Sequence, residues 1–189
     1  HYDQAQRMLG VVTNPTFTDA DRIMKEVAED MGVGHTFVPT PVGVFFGADG
    51  EKSPGKHVAD PYFGGAGPAR TGCIECGSCM TGCRYGAKNT LVKNYLGLAE
   101  SAGAQVHPLT MVKGLQQRAD GLWEIDTART GGKLRRRRKT FTAKYVILAA
   151  GTYGTQKLLF KMRDTGKLPK LSDKLGVLTR TNSEPILGA

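Results

Sequence analysis

The chain has 189 residues, enough to form a domain with a real core. No run of about 20 apolar residues occurs, so nothing in the sequence reads as a membrane-spanning helix. Its formal charge of +9 is localised: Lys133, Arg135, Arg136, Arg137, Arg138 and Lys139 supply six of the nine, leaving +3 for the remainder, and without interleaved aromatics this argues against a nucleic-acid partner.

Residues Thr18 to Met31 read as a helix. Ala20, Ile23, Met24, Val27, Ala28 and Met31 fall on one apolar face, Thr18 can cap the start, and Gly32 and Gly34 stop it. Thr36 to Phe46 is extended, because Pro39 and Pro41 forbid a helix while Val42, Val44, Phe45 and Phe46 favour a strand. From Gly47 to Pro68 the density of Gly and Pro predicts a long surface loop. A second helix is expected over Asn89–Ala102, with Leu91, Tyr95, Leu98 and Ala102 on one stripe and Gly103 at its end. Short strands follow at Gln105–His107 and Met111–Gln116. The basic run then forms the solvated tip of a hairpin joining Leu122–Thr127 to Thr140–Ala143.

Tyr145 to Ala150 is a continuous apolar run, as in a strand buried on both faces. It breaks at Gly151-Thr152-Tyr153-Gly154, and a helix runs on to about Arg163. Strand, glycine turn and helix in that order present backbone N–H groups to a phosphate or cofactor. The full G-x-G-x-x-G fingerprint is absent, and His1, His35, His57 and His107 have no partner spacing, so each is structural or merely exposed. The fold class is α/β, with α+β in parts.

All the cysteine in the chain sits in one short loop, Cys73-x2-Cys76-x2-Cys79-x3-Cys83, interleaved with Gly72, Gly77, Gly82 and Gly86. This spacing is that of bacterial-type iron–sulfur loops, whose soft thiolates wrap a polynuclear centre. Two features depart from the ferredoxin pattern: Arg84 follows Cys83 where a proline is usual, and no second cysteine set exists. A structural zinc site is a second reading, although zinc modules more often join two separated C-x2-C pairs. Disulfides, or thiols that only pack, are a third. Thiolates or a cluster favour a reducing interior, so the cytoplasm is the expected compartment. A stand-alone iron–sulfur or zinc-binding electron-transfer module is the alternative functional reading.

Taken together, several strings resemble the glucose–methanol–choline (GMC) flavoprotein oxidoreductases, and within them the bacterial sterol-oxidising branch. They are His1 to Gly10, Asp60-Pro-Tyr-Phe-Gly-Gly65, Gly67-Pro-Ala-Arg70, Ala87-Lys-Asn-Thr-Leu91, Val146 to Leu159 and Arg163 to Pro169. The resemblance implies an internal fragment of a longer, two-domain enzyme, consistent with a first residue that is not methionine. The ADP-binding fingerprint would precede His1, and the catalytic residues would follow Ala189, so none is expected here. It implies FAD, hydride transfer from the CH–OH group of a hydrophobic, sterol-like alcohol, and, if the cysteines hold a cluster, an external electron acceptor. By position, the backbone of Val112 would meet the adenine, and Gly151, Thr152 and Gly154 would form the turn beside the cofactor. The expected division is 1–70 as a substrate-domain or linking segment, 71–103 as cysteine loop and helix, 104–165 as part of the Rossmann-like FAD domain, and 166–189 as the start of another substrate-domain segment.

Overall fold

The computed structural model describes residues 1–48, 51–131 and 137–181 as a mixture of helices and short antiparallel sheets. They fall into two compact units, His1–Val106 and His107–Ala189. No described helix is long and apolar enough to cross a membrane.

The first unit begins with α1 (Tyr2–Met8) and β1 (Val12–Thr13), followed by α2 (Asp19–Asp30) and β2 (Pro41–Val42), which pairs antiparallel with β1. The sequence placed α2 to within a residue. Thr18 closes a capping box with Asp21: the Thr18 hydroxyl accepts from the Asp21 N–H, and the Asp21 carboxylate accepts from the Thr18 N–H at 2.7 Å. Its apolar stripe, including Ile23, Met24 and Met31, is exposed. The expected extended segment Thr36–Phe46 is regular only in part. Gly34–Thr36 forms a 3-10 turn, and beyond β2 a lone bridge pairs Val44 with Lys88.

Phe45, almost fully buried, ties the next segments together. Its N–H donates to the carbonyl of Ala87 and its own carbonyl accepts from the N–H of Cys73, both at 2.9 Å. The two stems of the cysteine loop are therefore fastened to opposite sides of one residue. Strands β3 (His57–Val58) and β4 (Arg70–Thr71) form a second antiparallel pair leading into the loop.

The helix expected over Asn89–Ala102 is instead a 3-10 turn at Leu91–Lys93 and a short α3 (Tyr95–Ser101). The break is at Asn94, fully buried with φ −137° and ψ −100°. Its side-chain oxygen caps the Tyr95 N–H at 2.6 Å. The Lys93 carbonyl, which a continuous helix would turn onto its own backbone, accepts instead from the Arg70 guanidinium. A buried tertiary partner overrides local helix preference.

In the second unit, β5 (Thr110–Gln117), β6 (Trp123–Arg129) and β7 (Arg138–Ala143) form an antiparallel meander in the order β5-β6-β7. No strand forms at Gln105–His107. The register of β5 shifts between Val112 and Gly114, leaving Lys113 as the extra residue of a bulge. Helix α4 (Gly151–Asp164) packs on β5: Met162 is buried against Leu115, and its sulfur accepts from the Leu115 N–H at 3.0 Å. The basic run is not simply a tip. Arg138 and Lys139 belong to β7, opposite Ala128 and Thr127, and the Lys139 ammonium lies 4.4 Å from the ring of Phe141. Lys133, Arg135 and Arg136 lie outside the described residues.

The buried strand expected at Tyr145–Ala150 does not form. These residues have no strand partner among the described residues, and Tyr145 and Ile147 are 86% and 90% exposed. Burial still alternates along 145–149, the period of an extended chain. A parallel-sheet strand exists only by pairing on its flanks, and an apolar sequence alone cannot supply the partners. Nor is Gly151–Gly154 a separate turn, since it forms the first turn of α4.

Candidate functional site

In the first unit, a buried polar hub closes the neck of the cysteine loop. Arg70, 1% exposed, donates from Nε to Asn89 Oδ1 at 2.6 Å and from its two terminal nitrogens to the carbonyls of Pro68 and Lys93. The guanidinium sits 5.3 Å from the centre of the Tyr62 ring. Asn89 donates onward to the Tyr62 hydroxyl at 3.2 Å and to the Gly10 carbonyl at 3.4 Å. Below Tyr62, the Asp60 carboxylate collects the N–H groups of Tyr62, Phe63, Gly65 and Gly67 at 2.9–3.1 Å. Burial pushes the Asp60 carboxyl up, but these four donors outweigh it and hold it below the usual carboxylate range. The sequence showed the strings that hold these residues, without their roles. An Arg just before the loop and an Asn just after it was the available signal.

All four cysteines are free thiols, and all four line one pocket of about 240 Å³. Apolar side chains from the neighbouring segments, Val42, Val44 and Phe46, complete its wall. Cys73 and Cys83 are half-buried, whereas Cys76 and Cys79 are exposed. Among the described residues, no group of three or more His, Cys, Asp or Glu side chains is arranged to hold a metal ion. Two of the sulfurs meet backbone donors. The Glu75 N–H donates to Cys73 Sγ at 3.4 Å. For Cys83, burial pushes the thiol up, yet the N–H groups of Lys88, Ala87, Tyr85 and Gly86 together hold it below the ordinary thiol value.

Glu75 holds a left-handed φ of +58°, a conformation that costs a non-glycine residue about 1–3 kcal/mol and persists only where its surroundings fix it. Here the Lys52 ammonium pairs with its carboxylate, and the Thr16 hydroxyl donates to the same oxygen. At the opposite stem, Gly72 is required by close approach: an added Cβ would lie 1.9 Å from the Ser53 carbonyl oxygen.

In the second unit the structure separates the other candidates. Val112 is an exposed residue of β5 beside the Lys113 bulge, whose carbonyl accepts from Lys161 Nζ at 2.7 Å. Gly151, Thr152 and Gly154 lie at the other end of α4, roughly 15 Å along the helix axis from Lys161. Gly151 has φ +69°, and a Cβ added there would meet nothing within 4 Å. No side chain caps the N-terminus of α4, and Thr152 lines a groove of about 680 Å³ along the helix, with Tyr153, Gln156 and Phe160.

The model of the GMC oxidoreductase family matches residues 67–162, from the hub through the cysteine loop and the meander to α4. The chain belongs to the GMC oxidoreductase family. It is 77% identical over 189 residues to a cholesterol oxidase of Mycobacterium tuberculosis, covering 100% of this chain and 33% of that relative. It is 48% identical over 193 residues to a cholesterol oxidase of Acinetobacter baumannii, covering 100% of this chain and 34% of the relative. The chain thus spans about a third of the length of the curated relatives it matches.

Proposed function

We propose that this chain is the central part of an FAD-dependent oxidoreductase that oxidises the CH–OH group of a hydrophobic, sterol-like secondary alcohol. The observation that carries the reading is 77% identity, along the whole chain, to a cholesterol oxidase. At that identity the backbone is shared, and the family match runs unbroken through both units.

FAD, when bound, accepts the hydride from the alcohol carbon. This chain's own residues hold it. The uncapped start of α4 offers backbone N–H groups to negative charge. Gly151, Thr152 and Gly154 keep that turn free of bulk, and Val112 serves the adenine end through its backbone. The hub of Arg70, Asn89 and Tyr62 ties together the segments on either side of the cysteine loop.

The test is a visible spectrum of the full-length protein. Flavin bands that bleach anaerobically on adding a 3β-hydroxysteroid support the reading. A protein without flavin, or one whose flavin a sterol leaves oxidised while a primary alcohol reduces it, refutes the cofactor or the substrate respectively.

A further inference from the structure

We infer that a groove in the second unit, between the C-terminal half of α4 and the face of the meander it packs on, binds an organic phosphate through Arg138, Lys161 and Lys113. The groove is apart from Gly151, Thr152 and Gly154 at the other end of α4, and its occupancy does not depend on the alcohol chemistry.

Strand register decides which charges meet. Arg138 pairs with Ala128 and Thr140 with Asp126, so these four side chains share one face of the sheet, while Lys139 and Phe141 take the other. The Arg138 face is the one that α4 covers: just past the helix, the Lys167 ammonium reaches the Asp126 carboxylate at 3.0 Å. The β5 bulge brings Lys113 to the same rim, and the last turn of α4 brings Lys161. Lys113, Arg138, Lys161 and Lys167 thus line one groove of about 610 Å³, with a single acid, Asp126, among the described residues around it. The negative end of α4 draws Lys161 and Lys167, and the sheet adds two further cations to them.

The one carboxylate is already committed. Asp126 accepts from Lys167 and, at 3.3 Å, from the Thr140 hydroxyl, and the Lys167 bond chiefly holds its carboxyl below the usual range. Lys161 and Lys113 each spend one ammonium proton, on the Lys113 carbonyl and the Met111 sulfur, which leaves each two more. The Arg138 side chain makes no hydrogen bond or ion pair among the described residues, so its planar fork of donors is unspent. A phosphate matches this set, because a guanidinium takes two of its oxygens side by side and ammonium groups take the remainder. A carboxylate, with two oxygens and one charge, would satisfy the fork alone. The space also exceeds a bare ion, at about 20 waters of ~30 Å³ each. Ala128 and Met162, both buried, give it an apolar floor on which an organic body can rest.

The experiment uses the full-length protein, with its FAD content measured. Calorimetric titrations with glycerol 3-phosphate, AMP and inorganic phosphate are run beside sedimentation with phosphatidylcholine vesicles, with and without phosphatidic acid. Arg138→Gln/Lys161→Gln changes two exposed positions, and glutamine at 161 can still donate to the Lys113 carbonyl, so the fold tolerates it. Lys170→Gln/Lys174→Gln removes the same charge from exposed positions outside the groove. The expected result is that glycerol 3-phosphate or AMP binds, about tenfold or more weakly in the first variant and unchanged in the second. Thermal midpoint and FAD content stay as in the parent. Binding to phosphatidic acid vesicles alone, with the same dependence on Arg138 and Lys161, supports the site and makes a lipid headgroup its source of phosphate. No binding in any arm overturns the inference, as does equal weakening in both variants, which is general charge attraction. Inorganic phosphate held as tightly as its esters means an adventitious ion only, and the organic ligand is rejected. Loss of FAD from Arg138→Gln/Lys161→Gln makes the groove part of the cofactor site beside Val112 and overturns the inference too.

Discussion

Arg70→Met is the sharpest perturbation of the framework around the loop. The Met side chain fills much of the volume but leaves three acceptors without their donor: Asn89 Oδ1 and the carbonyls of Pro68 and Lys93. A buried acceptor left unsatisfied costs about 1–3 kcal/mol. The two carbonyls are only partly buried and can recruit water, so the low end applies to them. Adding the lost stacking on Tyr62, at roughly 0.5–2 kcal/mol, the expected destabilisation is about 3.5 kcal/mol with every contribution at its low end. With a urea slope of about 2 kcal/mol/M, that lowers the midpoint of the transition reporting on this unit by roughly 1.5–2 M. Arg70→Lys separates charge from geometry, because an ammonium cannot fork to three acceptors, and it should lose at least half as much. Urea titration of the full-length variants, with amide exchange followed over 73–94, gives both numbers. If Arg70→Met moved the midpoint by less than the equivalent of about 1 kcal/mol, or if Lys matched wild type, the hub would not be what closes the loop.

Three further outcomes rest on the same geometry. The folded Asp60 carboxyl titrates below its ordinary value of about 3.9, so the stability it contributes is complete above that pH and fades as pH falls through the lower folded value. The stability gap between wild type and Asp60→Asn should therefore be widest near neutrality and shrink below about pH 4, and a gap independent of pH in urea titrations contradicts the assignment. Gly72→Ala drives a methyl into the Ser53 carbonyl, so the backbone must move at a cost of about 1–3 kcal/mol or more, checked by thermal denaturation. Gly151→Val has no clash within this chain and suffers only at φ +69°, so it should fold but release FAD; full flavin content in the purified variant rejects the contact.

What the sequence disclosed divides along a physical line. Helix α2 was legible because its signals are local: a Thr cap, an apolar stripe and a glycine stop lie within a few turns. The two strands flanking the basic run are legible in the sequence, whereas the pairing of Arg138 and Lys139 in β7 is not, because a run of charge has the local look of a solvated tip. The missed features depend on distant partners. Asn94 breaks a helix because the guanidinium of Arg70 claims the preceding carbonyl, and no window around Asn94 contains that information. The run at Tyr145 has every local mark of a strand and lacks only neighbours. For the site, the spacing put four thiols on one short loop, whereas their common pocket, the amides behind Cys83 and the Lys52–Glu75–Thr16 network come from the folded path of the loop.

The bare flank at 145–149 has a practical corollary. Tyr145 and Ile147 offer greasy, β-prone backbone with open hydrogen-bonding edges, the profile of a segment that recruits its own duplicate. Truncated versions of the polypeptide ending near this point should clump on overexpression. A single charged replacement at Ile147 would keep such a fragment dispersed.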